Sequence, residues 1–225
     1  MDKQKKIMIG IPNTGLLNTN VVESLLEIQS IHTISFNFLK SSILYISREN
    51  IVKAALNSNA DYIMFLDSDQ TIQPDTIDRL VEHLNNGENI VTTLIFRKDP
   101  PFHPCIFSEQ RVLENYQIAL KFYDLESQDL SKPFYVANCG LGCAMINLEV
   151  FKKLPQPWFL PAPYSGEDFS FLYIATTGLG YKILCDPTIN IGHIGFKNFN
   201  RKDHFDNIEK QNKLLNGSVT PEVYL

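Results

Sequence analysis

Hydrophobic and polar positions follow two alternating periods over the first 96 residues. Four short apolar runs are typical of buried strands: residues 6–11, 33–39, 61–66 and 89–95. Three segments between them have helical spacing: residues 20–28, 47–57 and 74–85. Ser47 is the predicted N-cap of the second helix and Pro74 the predicted first residue of the third. This alternation predicts an α/β domain whose mostly parallel sheet is flanked by helices and binds ligands at its carboxyl edge.

The regular pattern is interrupted at residues 98–134, where we expect an inserted hairpin or flap around the β-like run "YQIALKFYDL". Beyond it, "GLGCAMINLEVFKKL" predicts a strand and a short helix, "GEDFSFLYIATTGLG" a helix, and "YKILCDPTINIGH" a last strand. The prediction is one domain over residues 1–199, followed by a polar tail or lid at 200–225.

Composition narrows the function classes. The 225 residues are 44% hydrophobic, which fits a globular protein. The net charge of -5 does not favour nucleic acid as a partner. No apolar run is long enough to span a bilayer, so we expect no transmembrane segment. The four cysteines have no disulfide-framework or zinc-site spacing: Cys105, Cys139, Cys143 and Cys185. Reduced thiols and a cytoplasmic location are therefore predicted.

The stretch "DYIMFLDSDQTIQPD" places Asp67 and Asp69 at the end of a buried strand. Both can be simple turn residues. Like charges this close repel, however, unless a cation or a shared proton compensates. A calcium-binding loop does not fit, because Ile72 stands where that loop needs glycine and Asp78 where it needs a bidentate glutamate.

"FLDSDQTI" resembles the first motif of haloacid-dehalogenase-type phosphatases, in which Asp67 would be the nucleophile. That motif normally ends the first strand of its domain, whereas two strand–helix units precede it here. The sequence also has no convincing lysine motif of the kind such a phosphatase needs, because Lys152 and Lys153 have the pattern of a solvated helix end. This phosphatase is the alternative enzyme.

Several motifs in one order resemble GT-A glycosyltransferases, most closely those of the inverting family 2 type. They are "IMIGIPNTG", "SRENIVKAALNSNADYIMFLDSDQ", "GLGCAMINLEVFKKL", "GEDFSF" and "DPTINIGH". The resemblance covers most of residues 6–195, except about 98–134. It implies a Rossmann-like GT-A domain with the inserted hairpin, and a nucleoside diphosphate sugar, in the main interpretation UDP-linked, as the donor.

The same resemblance assigns metal ligands and donor contacts. Asp69 and His193 would hold the divalent cation, with Asp67 near the ribose and metal-bound water; an imidazole ligand favours Mn²⁺ over Mg²⁺. The implied nucleotide-sugar contacts are Pro12, Asn13, Thr14, Arg48, Asp67, Ser68, Gly140 and Gly142.

By resemblance, Asp168 is the general base for an acceptor hydroxyl, with Glu167 beside it. Both acids would equally suit a helix N-terminus, where the dipole favours them. Arg48 approaches the uracil or diphosphate, or else pairs with Glu49 or a neighbouring acid. Trp158 stacks on an acceptor sugar, or else anchors its loop.

The acceptor stays open among a glycan, a protein, a lipid-linked sugar and a modified nucleic-acid base. The predicted activity is a metal-dependent, inverting glycosyl transfer. A non-catalytic nucleotide-sugar-binding domain is the remaining hypothesis.

Overall fold

A seven-stranded mixed sheet forms the centre of the computed structural model, which describes residues 3–98 and 101–195. In spatial order its strands are β2 (Thr33–Lys40), β1 (Lys6–Asn13), β3 (Tyr62–Leu66), β10 (Cys143–Asn147), β5 (Ile90–Thr93), β11 (Ile183–Asp186) and β8 (Phe134–Val136). All run in one direction except β10 and β8, which are antiparallel to their neighbours. The predicted α/β class with a mostly parallel sheet is confirmed.

Two small antiparallel sheets stand beside this one. The first consists of β6 (Ile106–Val112), β7 (Ile118–Phe122) and β9 (Asn138–Cys139). The second pairs β4 (Gln70–Thr71) with β12 (Gly192–His193). The hairpin formed by β6 and β7 confirms the hairpin expected within residues 98–134, although only its second strand has a clear β pattern in the sequence.

Five α-helices are described: α1 (Thr19–Leu26), α2 (Leu44–Asn57), α3 (Thr76–Asn85), α4 (Leu148–Lys153) and α5 (Glu167–Tyr173), which continues as a π-helical turn over Ile174–Gly178. Both predicted helix starts are wrong. Ser47 lies inside α2, where its hydroxyl donates to the carbonyl of Ile43 four residues earlier, so it does not act as a cap. Pro74 precedes α3, which has Asp75 as its N-cap residue.

The apolar run of β3 is buried on both faces of the sheet. Ile63 and Phe65 belong to one hydrophobic cluster, whereas Met64 and Leu66 belong to a second. Alternate side chains of a strand point to opposite faces, so helices must cover both faces of β3. This explains why the sequence shows a continuous hydrophobic run here and no alternation.

The ends of several strands lie at one edge of the sheet. The carboxyl ends of β1, β3, β5 and β11 lie there because these strands are parallel. The amino end of β10 reaches the same edge because β10 runs the other way and pairs Cys143 with Leu66. The amide of Asp67 donates to the carbonyl of Gly142 over 2.8 Å, which fixes the aspartates against the glycine segment.

All four cysteines lie within the described residues and none forms a disulfide. Burial raises the pKa of Cys139 and of Cys143 to about 12, so neither is a reactive thiolate at neutral pH. Within residues 3–98 and 101–195, no helix has both the length and the apolar character needed to cross a bilayer. The cytoplasmic location and the domain boundary at residue 199 stay predictions, and the tail or lid at 200–225 lies outside the described residues.

Packing of α2 on the sheet requires the absence of a side chain at Gly10. A Cβ there would overlap the Cγ2 methyl of Ile51, which is itself buried and branched next to the backbone. We expect Gly10→Ala to lower the free energy of unfolding by about 1–3 kcal/mol, measured by urea denaturation. Gly178→Ala is the matched control, since its Cβ would lie an ordinary 3.8 Å from Ile174. Equal losses in both variants would contradict this packing argument.

Candidate functional site

Two cavities open at the carboxyl edge of the sheet and share Asp67. The smaller cavity, of about 270 Å³, is lined by Pro12, Asn13, Thr14, Ser41, Ser42, Leu44, Asp67, Ser68 and Asp69. The larger cavity, of about 470 Å³, is lined by Asp67, Gln70, Ile95, Arg97, Cys105, Phe107, Leu120, Phe122, Gly140, Leu141, Gly142, Asp168, Phe169 and His193. Most of the site residues predicted from the sequence therefore lie around one of these cavities.

The smaller cavity brings together the loop after β1 and the aspartates after β3. Pro12, Asn13 and Thr14 supply one side, and Ser68 and Asp69 the other. The side chain of Asn13 is engaged within its own turn, because its oxygen accepts from the amide of Gly15 over 2.9 Å. Backbone groups and short polar side chains thus dominate this wall.

Asp69 and His193 lie close together because β12 pairs with β4. In this pairing His193 lies opposite Gln70, the residue that follows Asp69. The imidazole Nε2 of His193 lies 3.6 Å from Oδ1 of Asp69, and the amide of Ile194 donates to the carbonyl of Asp69. On its other side, His193 Nδ1 donates to the carbonyl of Phe96 over 2.6 Å. A carbonyl at Nδ1 fixes that nitrogen as the donor and turns Nε2 toward the carboxylate.

Lys98 is a second cation on Asp69. Its ammonium lies 2.5 Å from Oδ2 of Asp69. Burial alone would raise the pKa of Asp69, but the imidazole of His193 and the ammonium of Lys98 together lower it to about 2. No motif in the sequence points to Lys98, which lies at the start of the irregular insertion.

The donor set at Asp69 fits a divalent cation that is shared with a diphosphate. It consists of one carboxylate oxygen and one oriented imidazole nitrogen. In the described part of the chain no group of three or more histidine, cysteine, aspartate or glutamate side chains is placed to hold a metal alone. Mg²⁺ and Mn²⁺ are commonly bound through one or two protein ligands with substrate phosphates completing the shell.

Arg48 lies behind the site and connects its carboxylates. Its side chain is only 2% exposed, and its guanidinium lies 3.0 Å from Asp67, 3.3 Å from Glu167 and 3.8 Å from Asp168. Only the contact with Asp67 has hydrogen-bond geometry; the other two are ion pairs. Arg48 lines neither described cavity, and its contact with the nucleotide stays a prediction. Glu49, the acid considered as its partner, pairs instead with Lys53.

Asp168 and Glu167 occupy different positions although they are neighbours. Asp168 lines the larger cavity, whereas Glu167 is turned toward Arg48 and lines neither described cavity. Burial raises the pKa of Asp168 to about 6, against the lowering effect of Arg48 and of the Phe169 amide; the charges of Glu167 and Asp67 also raise it. A carboxylate at a helix start is ordinarily a weak base, and burial restores basicity to this one.

The two predicted glycines differ in what they do. A Cβ on Gly142 would lie 3.2 Å from Oδ2 of Asp67 and 3.3 Å from the amide nitrogen of Gln70, so the backbone must pass close to both side chains. A Cβ on Gly140 would meet only ordinary contacts. Gly142 therefore gives Asp67 its space, and Gly140 contributes backbone to the cavity.

Trp158 is a buried anchor. It is 4% exposed, and its indole N–H donates to the carbonyls of Phe151 and Leu154. The interpretation of Trp158 as a stacking platform for a sugar is therefore wrong, because its ring faces Phe151 in the core. The aromatic residues that do line the larger cavity are Phe107, Phe122 and Phe169. No motif in the sequence distinguishes them from ordinary strand and helix residues.

Removal of Arg48 should destabilise the fold most at high pH. The raised pKa of Asp168 already means that the fold loses stability as pH rises from about 4 through 6. Without the guanidinium this loss grows and extends above pH 6. We expect Arg48→Met to cost about 3–5 kcal/mol of unfolding free energy at pH 8 and clearly less at pH 5, measured by urea denaturation.

Arg48→Lys is the control for that experiment, because lysine keeps the positive charge and loses only the planar set of guanidinium N–H donors. It should retain a larger part of the stability at pH 8. A loss in Arg48→Met that is equal at both pH values would show that Arg48 acts through packing and not through charge.

The chain is similar to known proteins in part of its sequence and in its fold. Residues 46–154 match the family model of glycosyl transferase family 2, a segment that contains Arg48, Asp67 and Asp69 but ends before Asp168 and His193. No curated protein matches the chain significantly.

Two solved structures share the fold. A197 from STIV is 18% identical with a TM-score of 0.64, over 86% of this chain and 87% of that one. S. aureus TarS 1-349 in complex with UDP-GlcNAc is 12% identical with a TM-score of 0.52, over 88% of this chain and 60% of that one. Neither the family model nor the fold supports the haloacid-dehalogenase alternative, and Lys152 pairs with Glu149 on the exposed side of α4. Residues 46–154 are thus similar to glycosyl transferase family 2, and the chain has the GT-A type of α/β fold that these solved structures share.

Proposed function

We propose that the protein transfers a sugar from a nucleoside diphosphate sugar, UDP-linked, to an acceptor hydroxyl with inversion, in a reaction that depends on a divalent cation. The observation that carries this proposal is the position of Asp67 between the two cavities. Asp69 lines the smaller cavity and lies 3.6 Å from His193, which lines the larger cavity together with the basic carboxylate of Asp168. Two substrates can therefore meet between them.

The smaller cavity is the proposed nucleotide side. Its wall of short polar groups and backbone suits a base and ribose, and its end at Asp69 suits the diphosphate. A divalent cation, when bound by Asp69 and His193, supplies Lewis acidity for the leaving diphosphate. Lys98, in contact with Asp69, brings a further positive charge to this end. The fold shared with a UDP-GlcNAc complex supports UDP as the nucleotide.

The larger cavity is the proposed place of transfer. As the acceptor oxygen forms its bond to the anomeric carbon, the bond from that carbon to the diphosphate oxygen breaks on the opposite face. The acceptor proton passes to Asp168. A base with a pKa of about 6 is ionised at neutral pH and still able to take a proton, which is the compromise that general-base catalysis needs.

The rate should therefore rise with pH in a defined range. Asp168 must be deprotonated to act, so we expect kcat/KM for transfer to increase about tenfold per pH unit below pH 6 and to level off above it. The measurement is nucleoside diphosphate release at donor and acceptor concentrations well below KM between pH 5 and 8. A rate that does not change over this range would contradict the assignment of Asp168 as the base.

Two variants should separate metal binding from base catalysis. We expect Asp168→Asn to lower kcat by about 10²–10⁴-fold while UDP affinity in Mn²⁺ stays unchanged. Asp69→Asn should instead weaken UDP binding in Mn²⁺ and leave the metal-free binding of UDP nearly unaltered. Both are measured by calorimetric titration of UDP and by diphosphate release from a panel of nucleotide sugars.

The same assays test the alternatives. Hydrolysis of simple phosphomonoesters with an aspartyl-phosphate on Asp67 would overturn the proposal in favour of a phosphatase. Metal-dependent UDP binding without any turnover, across the whole panel of donors and with acceptors supplied, would indicate a non-catalytic nucleotide-sugar-binding domain.

A further inference from the structure

We infer that the larger cavity takes an uncharged sugar ring as the acceptor, held between an apolar wall from the β6–β7 hairpin and a polar wall at Gln70. This inference rests on the proposed function and specifies its acceptor. Asp67, shared with the smaller cavity, marks the position of the transferred sugar. The side of the larger cavity toward the hairpin is then left for the second substrate.

The apolar wall is built by aromatic side chains that continue to the catalytic carboxylate. Phe107 packs edge-on against Phe169, with ring centroids 5.2 Å apart, and Phe169 directly follows Asp168 in the chain. Phe122 packs against Phe107 at 5.2 Å and stacks on His103 at 4.3 Å. These contacts hold the hairpin wall at a fixed place beside Asp168.

The buried amide oxygen of Gln70 has no hydrogen-bond donor among the described residues. Its side chain is 1% exposed and lines the larger cavity, yet its amide oxygen accepts no hydrogen bond from any described residue. A buried acceptor without a donor costs about 1–3 kcal/mol. A ligand hydroxyl that donates to this oxygen would remove that cost.

The charges on the lining argue against an anionic acceptor. Asp67 and Asp168 carry negative charge, and Arg97 is the one lysine or arginine side chain on the described lining. The cavity therefore offers no excess positive charge to a phosphate or a carboxylate. A neutral sugar fits this lining, because its C–H face can pack on aromatic rings and its hydroxyls can donate hydrogen bonds to Gln70 and Asp168.

The test is ligand binding to the full chain, measured apart from turnover. Methyl hexopyranosides are titrated in the presence of Mn²⁺ and UDP and followed by saturation-transfer NMR, beside the matching methyl hexuronides, 4-nitrophenol and a short oligodeoxynucleotide. We expect the methyl hexopyranosides to bind best, with saturation strongest on their ring C–H protons.

Variants assign that binding to the cavity. Phe122→Ala should weaken it about 5- to 10-fold, and Gln70→Met, which keeps length and removes the acceptor, by about the same factor. Phe36→Ala is the matched control, because Phe36 is an exposed phenylalanine on β2 that lines neither described cavity. It should leave binding unchanged.

The outcomes separate the acceptor from the donor. Preferential binding of the hexuronides, of 4-nitrophenol or of the oligonucleotide would overturn the inference, as would hexopyranoside binding that neither Phe122→Ala nor Gln70→Met weakens. If hexopyranosides bind as expected but no nucleotide sugar is turned over, the proposed function fails while the cavity assignment stands. If donor turnover is observed and hexopyranosides do not bind, the inference alone fails.

Discussion

The buried guanidinium of Arg48 is the charge on which the site depends. Removing a cation from water is costly unless opposite charges surround it, and here three carboxylates from two distant parts of the chain do so. Asp67 comes from the segment after β3, whereas Glu167 and Asp168 begin α5. Equally, those acids could not lie so close together without Arg48. The same ion cluster therefore holds the donor-side aspartate and the proposed base in one place.

The two aspartates that follow β3 are neutralised separately. Asp67 is directed at Arg48, and Asp69 is directed at Lys98 and His193. Their mutual repulsion, which is the notable feature of "DSD" in the sequence, is thus resolved by cations on different sides. This division matches the division of the site, since Asp67 borders both cavities and Asp69 only the smaller one.

The hairpin gives the inserted segment a role in the site. It pairs with β9, which immediately precedes Gly140, and its aromatic rings contact the helix that carries Asp168. The inserted segment thus forms one wall of the larger cavity, whereas the sheet edge supplies Asp67, Gly140 and Gly142. Gln70 faces the same cavity from the opposite element, the short strand β4.

The sequence by itself determined six of the seven strands of the central sheet, all except β8, as well as the placement of "DSD" at a carboxyl edge and the order of motifs that indicates a GT-A glycosyltransferase. These follow from local hydrophobic periods and short motifs, which depend on near neighbours only. The helix starts predicted at Ser47 and Pro74 are wrong. In the case of Ser47, the hydroxyl bonds within the helix instead of capping it. Only the tertiary structure decided that Arg48 is an internal counterion, that Trp158 is an anchor, and that Lys98, Gln70 and the hairpin aromatics belong to the site. The contact of Arg48 with Asp67 joins residues 19 positions apart, and that of Lys98 with Asp69 joins residues 29 positions apart. Such partners are selected by packing and charge burial, which no local pattern in the sequence records.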